Sequence, residues 1–210
     1  MLKLFQRCLN ATYKHTDCCG DYAIELDGDT LYLLFEWSDG KEDWINNFDF
    51  PARPYKRMND VWFCHRGFLK VWKAMRDEIE LEISTILLTQ THIENIICVG
   101  YSHGGALSLF ATEDMEYLFG DRLKVTGYGF GAPRVLWGVV PTSIKNRLRC
   151  FKVIRNIPDI VTHVPPLLFG FHHGGTVMEI GEQGKYGRIE AHTPSAYVEE
   201  LSKGVADLEQ

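Results

Sequence analysis

The feature that most constrains the fold is a serine between two glycines, where an apolar strand turns into a helix. Residues 96–105 read IICVGYSHGG, which places Ser102 in a G-x-S-x-G pattern. At a strand-to-helix turn this pattern holds the serine backbone in a strained conformation and lifts the hydroxyl out of the sheet. Side chains larger than glycine, two residues before or after the serine, would collide with the strand or the helix. The pattern predicts Ser102 as a nucleophile; a glycine-rich turn without chemistry is the alternative.

The rest of the chain alternates strands with helices. Strands are predicted at 22–26, 31–35, 96–99, 125–130, 151–154 and 176–180, and helices at 66–88, 107–118 and 194–202. Most of these strands are too apolar to leave one face in water, which favours a parallel sheet covered by helices on both faces. The predicted fold class is therefore α/β, with a mostly parallel central sheet. We expect one domain over residues 1–210, in which residues 1–20 form a peripheral segment.

Composition excludes several classes of partner. The 210 residues carry 22 basic and 28 acidic side chains, a net charge of −6, and a nucleic-acid binder needs a basic face. No run approaches the roughly 18 apolar residues that a membrane span needs, so no transmembrane segment is expected. Gln6 and Arg7 interrupt the apolar N-terminus before it reaches the length of a signal peptide. The resulting expectation is a cytoplasmic location.

A serine nucleophile needs two further side chains. A histidine must accept the proton of the serine hydroxyl, and a carboxylate must fix the tautomer of that histidine. In α/β hydrolases the order along the chain is serine, acid, histidine. Asp159 fits the acid because it follows the strand at 151–154, whereas Asp114 and Asp121 are predicted to be solvated surface residues.

Four histidines follow Asp159 and are candidates for the base: His163, His172, His173 and His192. His192 lies in a loop just before the last helix, which is where a base at the strand ends belongs. An exposed loop histidine is the alternative interpretation. The adjacent His172 and His173 could suit a metal, but no nearby Asp, Glu or Cys has ligand spacing. We predict His192 as the base and expect neither a metal nor a cofactor.

Five segments match, in the right order, the motifs of one enzyme family. Residues 100–107 match G-x-S-x-G-G-A-L, 131–135 match G-x-P-R-V, 156–166 resemble N-x-x-D-x-V-P-x-x-P-P, 169–174 resemble G-[YF]-x-H-x-G, and 65–68 are similar to H-x-G-F. Over roughly residues 22–200 the chain resembles the class 3 lipases, a family of fungal triacylglycerol lipases and bacterial relatives. The resemblance implies an α/β-hydrolase fold and a triad of Ser102, Asp159 and His192.

The same resemblance implies an oxyanion hole and a lid. The family has an F-R-G-[ST] strand end, and residues 35–38 here read FEWS. The resemblance implies that Ser38 is an oxyanion-hole residue, together with the N–H of His103, although Glu and Trp replace the Arg and Gly of the family. A plain turn residue before Asp39 and Gly40 is the alternative interpretation of Ser38. Trp44, Ile45 and Phe48 suit a short amphipathic lid that turns outward at a lipid surface. Permanent packing of these three side chains on the body is an equal alternative.

The implied activity is hydrolysis of carboxylic esters through an acyl-enzyme. The expected partners are a small-molecule or lipid ester substrate and, transiently, a lipid interface. A phospholipase A1, a monoacylglycerol lipase or an acyltransferase on the same scaffold is an alternative. A non-catalytic module that binds an apolar ligand or a protein is another. The triad does not separate the enzymes, because substrate choice depends on loops and the pocket.

Overall fold

The computed structural model describes residues 1–16, 20–37, 51–57, 60–185 and 187–206, without the side chains of 204–206. Helices are α1 (Leu2–Asn10), α2 (Arg66–Thr89), α3 (His103–Phe119), α4 (Thr142–Arg147) and α5 (Pro194–Ala206). Strands are β1 (Tyr22–Asp27), β2 (Thr30–Phe35), β3 (Ala52–Arg57), β4 (Asp60–His65), β5 (Asn95–Tyr101), β6 (Lys124–Phe130), β7 (Leu136–Trp137), β8 (Phe151–Asn156), β9 (Phe171–His172) and β10 (Thr176–Ile180). Ser38, Trp44, Ile45 and Phe48 lie outside the described residues, so their predicted roles stay predictions.

A mostly parallel sheet forms the centre of the described part of the chain. Its 6 strands lie in the order β1, β2, β5, β6, β8, β10, and each neighbouring pair from β2 onward is parallel. β1 joins β2 as an antiparallel hairpin. Because these strands are parallel, the carboxyl ends of β5, β8 and β10 meet at the same edge of the sheet.

Helices cover both faces of this sheet. Leu33 of β2 packs into the core shared with α2 and α3, and the next residue, Leu34, packs into the core shared with α1 and α5. Cys98 and Val99 of β5 divide in the same way, as expected from the alternation of side chains along a strand. The predicted α/β fold class is confirmed.

A second sheet was not predicted. It is antiparallel, and its 4 described strands lie in the order β3, β4, β7, β9. Tyr55 of β3 and Trp62 of β4 are fully buried in the core that α2 and α3 share. Pro54 has no N–H to donate and lies in β3, at the edge of the sheet, where a ladder hydrogen bond can be absent. These strands escaped prediction because β7 and β9 have two residues each and β3 is rich in charge.

Helix α1 contributes to the core. Phe5 and Cys8 are fully buried. The ring of Phe5 lies 5.4 Å from that of Tyr101, 4.8 Å from that of Phe130 and 5.7 Å from that of Tyr197. The segment expected to be peripheral therefore packs against the end of β5. None of the described helices combines the length and the apolar composition that a bilayer crossing requires.

Helix α3 is buried along most of its length and carries two buried acids, Glu113 and Asp114. The sequence predicted Asp114 as a solvated residue, and the structure contradicts this. Oδ2 of Asp114 accepts hydrogen bonds from the Tyr55 hydroxyl at 3.1 Å and from the Trp72 indole N–H at 3.0 Å. Nε of Arg57 lies 3.0 Å from Oδ1. Because α3 is buried on nearly every side, its acidic side chains bond to other side chains and not to water.

Burial and the neighbouring carboxylate change the acidity of this pair. Removal from water, together with the adjacent Glu113, raises the pKa of Asp114 to about 7. Burial likewise raises the pKa of Glu113, although the guanidinium of Arg147 donates to its Oε1 at 2.6 Å. Simultaneous ionisation of Glu113 and Asp114 is therefore unfavourable.

Candidate active site

The backbone turns sharply at Ser102, between β5 and α3. Its φ is 54° and its ψ is −118°, and among the described residues it is the one non-glycine with a positive φ. Such a conformation costs roughly 1–3 kcal/mol and persists only where surrounding contacts hold it. One of these contacts is the hydrogen bond from the N–H of Ser102 to the carbonyl of Phe130, at 2.8 Å.

Glycines are required on both sides of the turn. A Cβ at Gly100 would lie 2.0 Å from the carbonyl oxygen of Gly104, and a Cβ at Gly104 would lie 2.5 Å from the carbonyl oxygen of Phe35. Both contacts are with backbone, which cannot move aside as a flexible side chain can. Strand and helix can therefore approach closely enough to hold Ser102 at the tip of the turn only if both residues are glycine.

The structure brings together the three residues predicted to form the triad. Nε2 of His192 lies 2.8 Å from Oγ of Ser102, and Nδ1 of His192 lies 2.8 Å from Oδ2 of Asp159. Asp159 is fully buried, and Ser102 is 3% exposed. The three side chains follow β5, β8 and β10 along the chain, so they come from the carboxyl edge of the central sheet.

The partners of His192 fix its tautomer. An ionised carboxylate is acceptor-only, so Nδ1 of His192 donates its proton to Asp159. The lone pair of a neutral ring is then on Nε2, which faces the hydroxyl of Ser102. The hydroxyl can donate to this lone pair, as a nucleophile with an adjacent base must.

Asp159 is held by two further donors that the sequence analysis did not identify. The backbone N–H of Val161 donates to Oδ1 at 2.8 Å, and the hydroxyl of Tyr197 donates to Oδ2 at 2.7 Å. Tyr197 is fully buried in α5, and its own oxygen accepts the N–H of Asn156 at 3.1 Å. The sequence shows an aromatic residue in the helix that follows His192. Whether its hydroxyl points at Asp159 depends on how α5 packs against the sheet.

Tyr101, the residue before the nucleophile, contacts the base. Its ring stacks on the ring of His192, with centroids 5.1 Å apart and an interplanar angle of 26°. Its hydroxyl donates to the backbone carbonyl of His192. Asn156 supports the same segment through a hydrogen bond from Nδ2 to the carbonyl of Ala191, at 3.1 Å. The base is therefore fixed through both its ring and its backbone.

His103 begins α3 directly after the nucleophile. The first N–H groups of a helix have no intrahelical acceptor, so the N–H of His103 can donate to an oxygen beside Ser102. The ring of His103 lies 5.4 Å from that of Phe68. Burial lowers the pKa of His103 to about 4, so the ring is neutral at pH 7. The second predicted oxyanion residue, Ser38, lies outside the described residues.

Two of the other candidate histidines lie beside backbone carbonyls of other residues. Nε2 of His172 lies 2.9 Å from the carbonyl of Gly138, and Nε2 of His173 lies 2.8 Å from the carbonyl of Thr162. Burial and nearby arginines lower the pKa of His163. Within the described ranges, no group of three or more His, Cys, Asp or Glu side chains could hold a metal ion.

Comparison with known proteins identifies the family. A family model described as lipase (class 3) matches residues 32–169, which is more than half of the chain. The chain belongs to the class 3 lipase family. This confirms the resemblance found in the sequence motifs.

Curated relatives of this class 3 lipase chain are longer than it is. A lipase of Rhizomucor miehei is 30% identical over 155 residues, which are 70% of this chain and 40% of that protein. The secreted mono- and diacylglycerol lipase A of Penicillium cyclopium is 25% identical over 158 residues, 75% of this chain and 50% of that protein. The chain thus spans half or less of the length of these relatives.

Solved structures confirm the α/β-hydrolase fold. Lipase II from Rhizopus niveus superposes with a TM-score of 0.70 at 24% identity, over 85% of this chain and 67% of that chain. The triacylglyceride lipase of Rhizomucor miehei superposes with a TM-score of 0.67 at 22% identity, over 81% of this chain and 66% of that chain.

The predicted cytoplasmic location is contradicted by the relatives. Two similar proteins, from Penicillium cyclopium and Penicillium camembertii, are named secreted lipases. The prediction rested on Gln6 and Arg7 interrupting an apolar stretch. In the structure both residues belong to α1, where alternation of polar and apolar side chains serves packing and carries no information on compartment.

Proposed function

We propose that this chain hydrolyses carboxylic esters of lipids through an acyl-enzyme on Ser102. The observation that carries the proposal is the alignment of Ser102 Oγ, the two ring nitrogens of His192 and Oδ2 of Asp159, with two successive distances of 2.8 Å. Membership of the class 3 lipases supports the same chemistry.

In the first half-reaction, Oγ of Ser102 attacks the ester carbonyl carbon while its proton moves to Nε2 of His192. The carbonyl π electrons move to oxygen, giving a tetrahedral intermediate with a negative oxygen. As the intermediate collapses, the bond to the alcohol oxygen breaks and His192 returns its proton to that oxygen. The alcohol leaves, and the acyl group stays on Ser102.

In the second half-reaction, water replaces the alcohol. His192 takes a proton from the water as the water oxygen attacks the acyl carbon, and the bond to Oγ then breaks. The proton passes from Nε2 back to Oγ, which restores Ser102 and releases the carboxylic acid. Asp159 keeps Nδ1 protonated throughout, because its Oδ2 accepts that proton in a hydrogen bond and stabilises the imidazolium.

The N–H of His103 stabilises the negative oxygen in both half-reactions. Its place at the start of α3 adds the positive end of the helix dipole. A preorganised donor of this kind contributes roughly 10²–10³-fold to the rate. Ser38 remains the proposed side-chain donor of the oxyanion hole.

Covalent labelling with a fluorophosphonate tests the nucleophile. We expect labelling of the unmodified chain and none of Ser102→Ala. Ser202→Ala is the matched control, because Ser202 is an exposed serine whose hydroxyl donates to the carbonyl of Val198 in the same helix. Labelling that persists in Ser102→Ala would refute the proposed nucleophile.

A second labelling experiment tests the base. His192→Ala is expected to lose labelling, whereas His172→Ala is expected to keep it, because both ring nitrogens of His172 lie beside backbone carbonyls away from Ser102. If only His172→Ala lost labelling, the assignment of the base to His192 would be wrong.

A phospholipase A1 activity is the second candidate. One relative, phospholipase A1-IIalpha of Arabidopsis thaliana, is 25% identical over 170 residues, 66% of this chain and 39% of that protein. Mono-, di- and triacylglycerols and phosphatidylcholine, compared at equal acyl chain length, separate the two activities. Release of fatty acid from phosphatidylcholine at the fastest rate would favour the phospholipase.

We propose that the chain also contacts a lipid surface transiently. Leu167, Leu168 and Phe169 follow the loop of Asp159 and are 63%, 91% and 55% exposed. Apolar side chains presented next to the acid loop suit insertion among lipid chains.

Leu168→Ser should weaken binding to phosphatidylcholine vesicles. Leu88→Ser, which changes a comparably exposed leucine (81%) near the end of α2, should not weaken this binding. Equal weakening by both variants would contradict a localised contact.

A further inference from the structure

A cavity of about 380 Å³ lies apart from the triad. Its wall includes Thr176, the first residue of β10, and Arg149, which precedes β8. The triad residues follow the carboxyl ends of their strands, so these amino ends belong to the opposite edge of the sheet. None of the three triad residues lines the cavity.

Two cationic side chains, Lys145 and Arg149, line the cavity, and no acidic side chain does. Both are exposed. Neither forms an ion pair or a side-chain hydrogen bond with any part of the chain that the structure describes. By contrast, Arg147 between them binds both Asp60 and Glu113, at 2.6 Å each. In a chain of net charge −6, two uncompensated cations at one cavity attract an anion.

The inner part of the cavity is aliphatic. Leu136, Val140 and Leu148 line it, and each is at most 3% exposed. Gly174 also lines it, and a Cβ at this position would lie 3.0 Å from methyl groups of Leu136, Leu148 and Leu109. The leucines therefore pack closely against Gly174, and a larger residue there would crowd this wall of the cavity. Such a surface contacts hydrocarbon more favourably than water.

His173 lines the same cavity without adding charge. Its Nε2 lies 2.8 Å from the carbonyl of Thr162, to which a neutral ring donates. Burial lowers the pKa of His173 to about 4, so the ring is neutral at pH 7. His172 also lines the cavity, and its ring nitrogens lie beside the carbonyls of His173 and Gly138. The lysine and arginine charges of the cavity are those of Lys145 and Arg149.

We propose that this cavity binds an amphipathic anion, with its head group between Lys145 and Arg149 and its aliphatic chain against Leu136, Val140 and Leu148. The head group is a carboxylate or a phosphate, both of which accept hydrogen bonds from lysine and arginine. The cavity volume falls within the range of roughly 300–1,000 Å³ that small-molecule sites occupy. This site is separate from the ester-cleaving site and does not depend on its activity.

The test is a titration of the full chain followed by amide chemical shifts in ¹⁵N-labelled protein. The probes are decanoate, decyl phosphate, decanol and inorganic phosphate. We expect saturable shifts at the amides of Gly174 and Gly175 with decanoate or decyl phosphate, and the tighter of the two identifies the head group. Decanol and inorganic phosphate, which each lack one half of the ligand, should bind at least about ten-fold more weakly.

Two variants locate the contacts. Lys145→Gln with Arg149→Gln should weaken binding by about ten-fold or more, because both charge-assisted hydrogen bonds are lost. Thr176→Phe, which fills the mouth of the cavity without changing charge, should weaken it as well. Ser102→Ala should bind like the unmodified chain, which separates this site from the proposed nucleophile.

The matched control is Arg53→Gln with Lys56→Gln, which removes the same two charges from exposed side chains on β3 that form no ion pair with the described residues. We expect unchanged binding. The proposal is overturned if no probe gives saturable shifts at Gly174 and Gly175, if decanol or inorganic phosphate binds as tightly as decanoate and decyl phosphate, or if the control weakens binding as much as the cavity variant.

Discussion

Asp159 and Asp114 are both fully buried carboxylates, and each accepts a hydrogen bond from a buried tyrosine. They lie in different parts of the molecule. Asp159 follows β8 at the edge of the sheet where Ser102 sits. Asp114 is twelve residues beyond Ser102 in α3, or about 18 Å along the helix at 1.5 Å per residue.

Their neighbours differ in kind. Asp159 accepts one backbone N–H, the hydroxyl of Tyr197 and the N–H of His192, a ring that can gain a proton. Asp114 adjoins a second carboxylate, Glu113, and the fixed positive charge of Arg57. Burial alone therefore does not make a carboxylate functional; what matters is whether a neighbour can exchange a proton with a reacting group.

The largest expected effect is on activity. Asp159→Asn should lower kcat for ester hydrolysis by about 10⁴-fold, because an amide no longer selects the tautomer of His192 or stabilises its charged form. Asp114→Asn should leave kcat per folded molecule unchanged. Initial rates with a p-nitrophenyl ester measure both. A comparable loss in the two variants would break the comparison between the two acids.

The next effect concerns stability and pH. The pKa of Asp114 is raised in the folded chain, so between about pH 4 and pH 7 the folded state holds more protons than the unfolded state. The contribution of Asp114 to stability then falls as pH rises through this range. We expect Asp114→Asn to reduce that fall by on the order of 2 kcal/mol, measured by urea unfolding at several pH values. Asp121→Asn, at an exposed acid, should leave the slope unchanged, and equal slopes in all three proteins would contradict the prediction.

Tyr197→Phe removes one donor from Asp159 and leaves the N–H of Asn156 without the oxygen that it binds. We expect kcat to fall by about ten-fold while KM changes little, which corresponds to the roughly 1–3 kcal/mol of a lost buried hydrogen bond. The pH profile of kcat should also shift, because the acid that stabilises His192 has changed. If Tyr197→Phe lowered stability but left the pH profile of kcat unchanged, the role of Tyr197 would be packing alone.

The smallest effect is expected from the matching change at the other acid. Tyr55→Phe removes a donor from Asp114 and an acceptor from Trp72. The free energy of unfolding should fall by about 1 kcal/mol, with kcat unchanged. Activity and urea unfolding of Tyr55→Phe and Tyr197→Phe, measured side by side, give the sharpest form of the comparison.

The sequence predicted the parts of the fold that depend on local patterns. Helix 66–88 was predicted to within one residue of α2, and the strand at 176–180 matches β10. The spacing of three and four residues and the apolar runs are properties of the chain itself. The proximity of Ser102 to residues far along the chain could be predicted, because the loops at the strand ends of a parallel sheet converge.

Contacts that depend on how helices and strands pack together could not be predicted from the sequence. Asp114 was assigned to the surface because an acid in a helix is usually solvated, and only the approach of Tyr55 and Trp72 shows otherwise. Tyr197 shows in the sequence only as an aromatic residue after His192, because the docking of α5 decides whether its hydroxyl meets Asp159 or water. In the same way, the sequence does not indicate that Phe5 reaches Tyr101.

Tyr101 has a consequence for how this chain tolerates change. The ring and hydroxyl of Tyr101 hold His192 from the end of the very strand that presents Ser102. Oγ of Ser102 and the ring of His192 therefore share one anchor, the end of β5. Substitutions in β5 should therefore disturb the imidazole more than substitutions at the exposed residues 182–184, which precede the Ala191 carbonyl that Asn156 holds.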